Sequence, residues 1–249
     1  MLEASAIEKS FGGLRAVAGA SLVLRRGEIV ALIGPNGAGK TTLFAAIAGF
    51  VPIDSGTVRF EDRDITGWAP HRIAESGLVR TFQITQPFAG LSVRENIAIG
   101  AHLRTAGRGE ALARAEAVAR RVGLGERLDQ AAESLTVAGR KRLELARALA
   151  TEPKLLMLDE VMAGLNPTEV DEIVAIVRGI RDGGVSILMI EHVMRAVTSL
   201  AERAYVLNQG AIIARGTPAE IAADPQVVEA YLGHGAAGRL LAQGGAARG

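Results

Sequence analysis

The sequence predicts an α/β fold, and three stretches carry that prediction. Glu28-Ile29-Val30-Ala31-Leu32-Ile33 is apolar and rich in β-branched residues, the pattern of a buried strand. Gly34-Pro35-Asn36-Gly37-Ala38-Gly39-Lys40-Thr41 follows as a glycine-rich turn, and Thr42-Leu43-Phe44-Ala45-Ala46-Ile47-Ala48 reads as a helix. Leu155-Leu156-Met157-Leu158 is a second buried strand that ends on Asp159-Glu160. The chain has 249 residues, 49% of them hydrophobic, so it has the material for a sizeable core and is not globally disordered.

The other elements follow in order. Residues 1–33 form a β-rich opening section, with Gly12-Gly13 and Arg26-Gly27 as turns between short strands. Asp54-Ser55-Gly56 is a turn into a strand over 57–60. Residues 84–135 lose strand signals and gain Ala, Arg and Glu. Within them, Ala111, Ala115, Val118 and Val122 recur at helical spacing, while Arg114, Arg120 and Arg121 lie elsewhere on the same helix. Those arginines read as a solvated face. The core resumes at 155–158 and 185–190. A helix over about 167–181 lies between, with Asn166 as its N-cap and Gly183-Gly184 as its stop. Asn208-Gln209-Gly210 joins 205–207 to 211–214 as a hairpin. From Gly233 the chain is Gly- and Ala-rich, and a loosely ordered tail is expected.

The first loop has the chemistry of a phosphate cradle. Glycines let the backbone approach phosphates without Cβ clashes, and the exposed N–H groups and helix N-terminus attract negative charge. Gly34, Pro35, Asn36, Gly37, Ala38 and Gly39 are therefore candidate nucleotide contacts. Lys40 is expected to bridge the β- and γ-phosphates, Thr41 to offer its hydroxyl to Mg²⁺, and Thr42 to add a phosphate contact. A flexible glycine turn alone would not require Lys-Thr at this offset between a strand and a helix. Asp159 is the candidate Mg²⁺ carboxylate, and Glu160 the candidate base or water-orienting group. Gln83 lies at the border of the helical stretch, placed to touch both Mg²⁺ and the water. His192, just past an apolar strand, is placed to meet the γ-phosphate. Phe11 is a candidate stacking surface for adenine. His71, His102 and His234 lack such a setting and read as surface residues.

Composition sets limits. A net charge of +1 gives no electrostatic case for nucleic-acid binding. The absence of cysteine excludes disulfides and thiolate metal sites. No apolar run approaches the ~18 residues that a membrane span needs. The start, Met1-Leu2-Glu3-Ala4-Ser5, has no signal-peptide core, so a soluble, unexported protein is expected.

Taken together, these motifs resemble the ATP-binding subunit of ABC transporters, from Phe11 to about Leu232. The resemblance implies a P-loop NTPase core of ABC ATPase type, with an N-terminal antiparallel β section and an inserted α-helical subdomain. It also implies a single domain over 1–232, with the helical subdomain at about 84–150 and a tail at 233–249. The family's Leu-Ser-Gly-Gly-Gln signature corresponds here to Leu135-Thr136-Val137-Ala138-Gly139, followed by a basic helix. Thr136 keeps the hydroxyl, Val137 and Ala138 replace both glycines, and Gly139 replaces glutamine. In the family two subunits pair head-to-tail, so Thr136, Ala138 and Gly139 would face ATP held by the partner's phosphate loop. Ala138 keeps its N–H but disfavours positive φ, which is expected to alter that contact.

Ala163-Gly164-Leu165-Asn166-Pro167, the Arg80-Thr81-Phe82-Gln83 loop and the ending Asp224 to Leu232 are similar to the ATPases of branched-chain amino-acid importers. That resemblance implies ATP and Mg²⁺ as ligands. Its partners would be a second ATPase subunit, two transmembrane permeases and an extracytoplasmic solute-binding protein, with this chain at the cytoplasmic face of the inner membrane. An ATPase of a lipid or lipopolysaccharide exporter, and a weakly catalytic partner subunit, are the rival readings. A chromosome-type ATPase of the same superfamily would need long coiled coils, and no sustained heptads occur here.

Overall fold

The computed structural model describes residues 1–81 and 86–232. The chain opens with strands β1 (Leu2–Phe11), β2 (Leu14–Leu24) and β3 (Ile29–Ile33), then helix α1 (Lys40–Ile47). Next come β4 (Ser55–Phe60), β5 (Arg63–Asp64), α2 (Pro70–Ser76) and β6 (Leu78–Arg80). Helices α3 (Val93–Ala101), α4 (Arg108–Arg121) and α5 (Val137–Leu149) precede β7 (Leu155–Asp159). The remainder is α6 (Pro167–Asp182), β8 (Ser186–Ile190), α7 (Met194–Leu200), β9 (Arg203–Asn208), β10 (Ala211–Gly216), α8 (Pro218–Ala223) and α9 (Pro225–Leu232).

Two sheets result. One is antiparallel, in the order β2-β1-β4-β5. The other runs β10-β9-β3-β8-β7-β6 and is parallel except for β10. The strands β3, β7 and β8 are buried throughout, which is why their sequences are continuous apolar runs without alternation. Their alternate residues serve two cores. Ile29, Ala31, Leu156, Leu158, Ile187 and Met189 face the helical layer, with α3, α5 and α6 among its contributors. Val30, Leu32, Leu155, Met157, Leu188 and Ile190 face Leu43, Phe44 and Ile47 of α1 and the antiparallel sheet. Helix α1 is thereby held between the two sheets, and the loop that precedes it has little freedom.

The sequence expectations hold for the opening strands, the 167–181 helix and the hairpin. Asn166 Oδ1 accepts from Glu169 N–H at 3.0 Å and Glu169 returns a bond to Asn166 N–H at 2.9 Å, a complete capping box ahead of Pro167. Between β9 and β10, Gln209 (φ 48°) and Gly210 (φ 82°) form the two-residue turn. In α4, Ala111, Ala115 and Val118 are buried, while Arg114 and Arg120 pair with glutamates on the outer face. Ser55 and Gly56 belong to β4 itself and not to the turn before it. The elements β5, α2, β6, α7, α8 and α9 were not anticipated. β6 has three residues and β5 two, too short to show a period, and α2 starts at Pro70 with no side-chain cap.

Candidate active site

The loop 34–39 joins the end of β3 to α1, and the surrounding backbone forces glycine at two of its positions. Gly34 has φ 150°, and a Cβ there would lie 2.0 Å from the Leu207 carbonyl oxygen. Gly39 has φ 101°, and its Cβ would lie 2.1 Å from the Ala16 carbonyl oxygen. The chain is thus wedged between β9 and β2. The hairpin tip adds a prop: Gly210 N–H donates to the Ala38 carbonyl at 2.9 Å, while its own carbonyl accepts from Ala18 N–H at 2.8 Å. Lys40 is nearly fully buried, and its ammonium donates to the carbonyls of Gly34 at 2.8 Å and Pro35 at 3.0 Å. Burial holds that ammonium below the usual lysine value, and the charges of Glu160 and Asp159 oppose the effect.

A cavity of about 910 Å³ opens in front of this loop. Asn36, Gly37, Ala38, Gly39, Lys40, Thr41 and Thr42 line one side, Phe11 another, and Glu160 with His192 a third. Residues from Phe11 to His192, far apart in sequence, therefore converge. His192 Nε2 lies 2.5 Å from Glu160 Oε1, so the imidazole N–H donates to the carboxylate. Phe11 is half-exposed at the mouth, with the Lys9 ammonium 5.3 Å from its ring centre.

Asp159 sits deeper. Its side chain is wholly buried and Oδ2 accepts from Arg80 at 2.7 Å. Asp159 Oδ1 is also buried and has no hydrogen-bond partner among the described residues. That unpartnered carboxylate oxygen and the Thr41 hydroxyl, which lines the cavity from the first turn of α1, are hard oxygen donors of the kind a small divalent cation takes, with phosphates and water completing its shell. No cluster of three or more His, Asp or Glu able to hold a metal occurs among the described residues, so a cation here would depend on such outside ligands. Gln83 lies outside the described residues. Of the histidines read as surface residues, His71 and His102 are exposed, and His234 also lies outside the described residues.

Thr136, Ala138 and Gly139 are not in the cavity. Thr136 is the N-cap of α5 and its Oγ1 accepts from Gly139 N–H at 3.1 Å. With Arg127, Arg142 and Glu169 these residues line a separate polar cavity of about 290 Å³. The expected penalty at Ala138 does not arise within the chain. Val137 and Ala138 occupy the first helical turn with negative φ, where glycine is not needed.

Sequence reasoning assigned no role to Arg80, Lys141 or Glu191. Arg80 pairs with Asp159, and Lys141 Nζ donates to the Glu160 carbonyl at 3.2 Å. Glu191 ends an apolar strand just as Asp159-Glu160 does, and that shared pattern was the available signal.

Comparison with known proteins finds relatives over most of the chain. The family model described as ABC transporter matches residues 17–163. A second, described as branched-chain amino acid ATP-binding cassette transporter, matches residues 211–237. The high-affinity branched-chain amino acid transport ATP-binding protein LivG of Salmonella typhimurium is 41% identical over 249 residues, covering 94% of this chain and 98% of that protein. The lipopolysaccharide export system ATP-binding protein LptB of Escherichia coli K12 is 39% identical, covering 93% and 97%. The crystal structure of the ADP conformation of MJ1267, an ATP-binding cassette of an ABC transporter, superposes with a TM-score of 0.86 at 33% identity, covering 94% of this chain and 99% of that one.

Proposed function

The chain belongs to the ATP-binding subunits of ABC transporters, and from that premise we propose that it drives uptake of branched-chain amino acids through a permease pair it does not itself contain. As a member it is an ATPase. The observation that carries the catalytic reading is the Glu160–His192 pair, set across one cavity from the phosphate loop.

In this reading Phe11 stacks on adenine, and the loop amides, Lys40 and Thr42 hold the phosphates. Thr41, Asp159 and Gln83 would hold Mg²⁺, which when bound would neutralise phosphate charge. Glu160 orients the attacking water and takes its proton, and His192 fixes that carboxylate and meets the γ-phosphate. A second ATPase subunit presents its own signature turn to this nucleotide. Thr136, Ala138 and Gly139 here do the same for the partner, through N–H groups at the start of α5. ATP then favours the closed pair, and hydrolysis releases it.

Thr81, Gln86, Ile99, Gly100 and Arg147 line a cavity of about 260 Å³, with Phe88 exposed close by in sequence. This is the proposed seat for a permease helix. No described helix is long and apolar enough to cross a membrane, so attachment at the cytoplasmic face would come through the permeases. An extracytoplasmic binding protein would deliver the solute to them.

The C-terminal match over residues 211–237 favours amino-acid import, while the similarity to LptB keeps lipopolysaccharide export as the second reading. Deleting the gene and measuring uptake of labelled leucine, isoleucine and valine separates them. Uptake lost, restored by the wild-type chain and not by Lys40→Ala, is the expected result. Unchanged uptake with depleted surface lipopolysaccharide would overturn import in favour of export.

A further inference from the structure

The strands β7 and β8 are parallel neighbours with Asp159 opposite Ile190. Glu160 and Glu191 are the next residue on each, so two carboxylates leave the sheet side by side. They diverge because Glu160 adopts φ 51°. Its side chain reaches the cavity and His192, whereas Glu191 is 2% exposed and points inward. There Glu191 Oε1 accepts from Met162 N–H at 3.0 Å, and its carboxylate also accepts from the His192 backbone N–H.

A left-handed backbone at a residue with a long side chain persists only where its surroundings over-determine it. Three contacts do so here. Glu160 N–H donates to the Ile190 carbonyl at 3.0 Å, Lys141 Nζ holds the Glu160 carbonyl at 3.2 Å, and Glu191 holds the chain two residues on. We propose that Glu191 is a positioning residue, which ties the turn bearing Glu160 to the turn bearing His192 and so sets the rate of hydrolysis without setting nucleotide affinity. The inference rests on the ATPase reading of this cavity and deepens it.

A glutamine Oε1 could still accept from Met162 N–H, so that bond alone does not explain a carboxyl here. Burial pushes the Glu191 carboxyl up to about 7, the two backbone N–H groups lower it, and the charges facing it are Glu160 on the β7 turn and Lys141 on α5. Above that pH it is an anion, and charge-assisted hydrogen bonds are roughly twice as strong as neutral ones. The tie therefore tightens as pH rises through about 7.

The test is ATPase kinetics of the full chain from pH 5.5 to 8.5, with ATP affinity measured alongside, for the wild type, Glu191→Gln and Glu191→Ala. Glu191→Ala is expected to lose roughly tenfold or more in kcat, with ATP affinity changed less than about twofold. Glu191→Gln is expected to keep most of kcat, since it keeps the acceptor, and to lack the wild-type rise across neutral pH. If Glu191→Ala does not fold, the Glu191→Gln profile decides. A wild-type enzyme that hydrolyses ATP with the same pH profile as Glu191→Gln, or an unimpaired Glu191→Ala, would overturn this inference alone. A wild type that binds no ATP would overturn the function beneath it as well.

Discussion

Asp159 is fully buried, and the guanidinium of Arg80 answers its charge. Removing one partner of such a pair leaves the other charged and desolvated. Arg80→Met should therefore lower unfolding free energy by about 3–5 kcal/mol, read from denaturant midpoints. An unchanged midpoint would show that Asp159 finds another partner. Glu191 makes a prediction with the opposite pH sense from a paired carboxylate. Its folded value, about 7, lies above the reference of 4.5, so the native state holds this proton more tightly than the unfolded chain. The stability it provides is complete below about pH 4.5 and is lost as pH rises through about 7. The loss amounts to roughly 3 kcal/mol, from a shift of about 2.5 units. Glu191→Gln removes this slope, so the variant should gain on the wild type between pH 4.5 and 8 in chemical denaturation. Parallel curves would contradict the burial of an ionisable carboxyl there. Residue chemistry was largely legible in the sequence. Lys40, Asp159, Glu160 and His192 are readable because each stands at the end of a strong apolar run or glycine turn. That Glu160 faces the cavity and Glu191 the interior was not, since it depends on one positive φ that no local pattern announces.

At the scale of elements, α6 is the clearest case of local signals agreeing with the fold. Asn166, Pro167 and Glu169 start it, buried Val170, Ile173, Val174 and Val177 anchor it, and Gly183 closes it. Asn166→Ala should cost about 1 kcal/mol of stability, measured by thermal or denaturant unfolding. ATP affinity should be unchanged, since the cap lies outside the cavity. A large loss of affinity would mean that the segment after Glu160 bears on nucleotide within a single chain. The elements that sequence missed are those whose stability is tertiary. β6 exists because Leu78, Val79 and Arg80 pair with β7, and its short run carries no period of its own. The role of the 207–210 hairpin tip was equally hidden. The turn was legible, but its contacts with the Gly34 to Ala38 segment join residues far apart in sequence.

At the scale of the whole molecule, nucleotide and partner are linked by where the sheets place the two ends of the site. The phosphate loop and Glu160 line one cavity, and the turn at Thr136 lines another. In the proposed function, covering a nucleotide on both sides takes two subunits. Glu160→Gln should bind ATP normally, accumulate a closed dimer seen by size-exclusion chromatography with light scattering, and hydrolyse roughly 10²- to 10⁴-fold more slowly. Rapid steady-state turnover by that variant would remove Glu160 from its assigned role. The most direct test of the account is an equilibrium titration of the purified full chain with ATP. Saturable binding by the wild type and loss of high-affinity binding in Lys40→Ala are predicted. Equal affinity in the two proteins would contradict the claim that this loop is where the nucleotide sits.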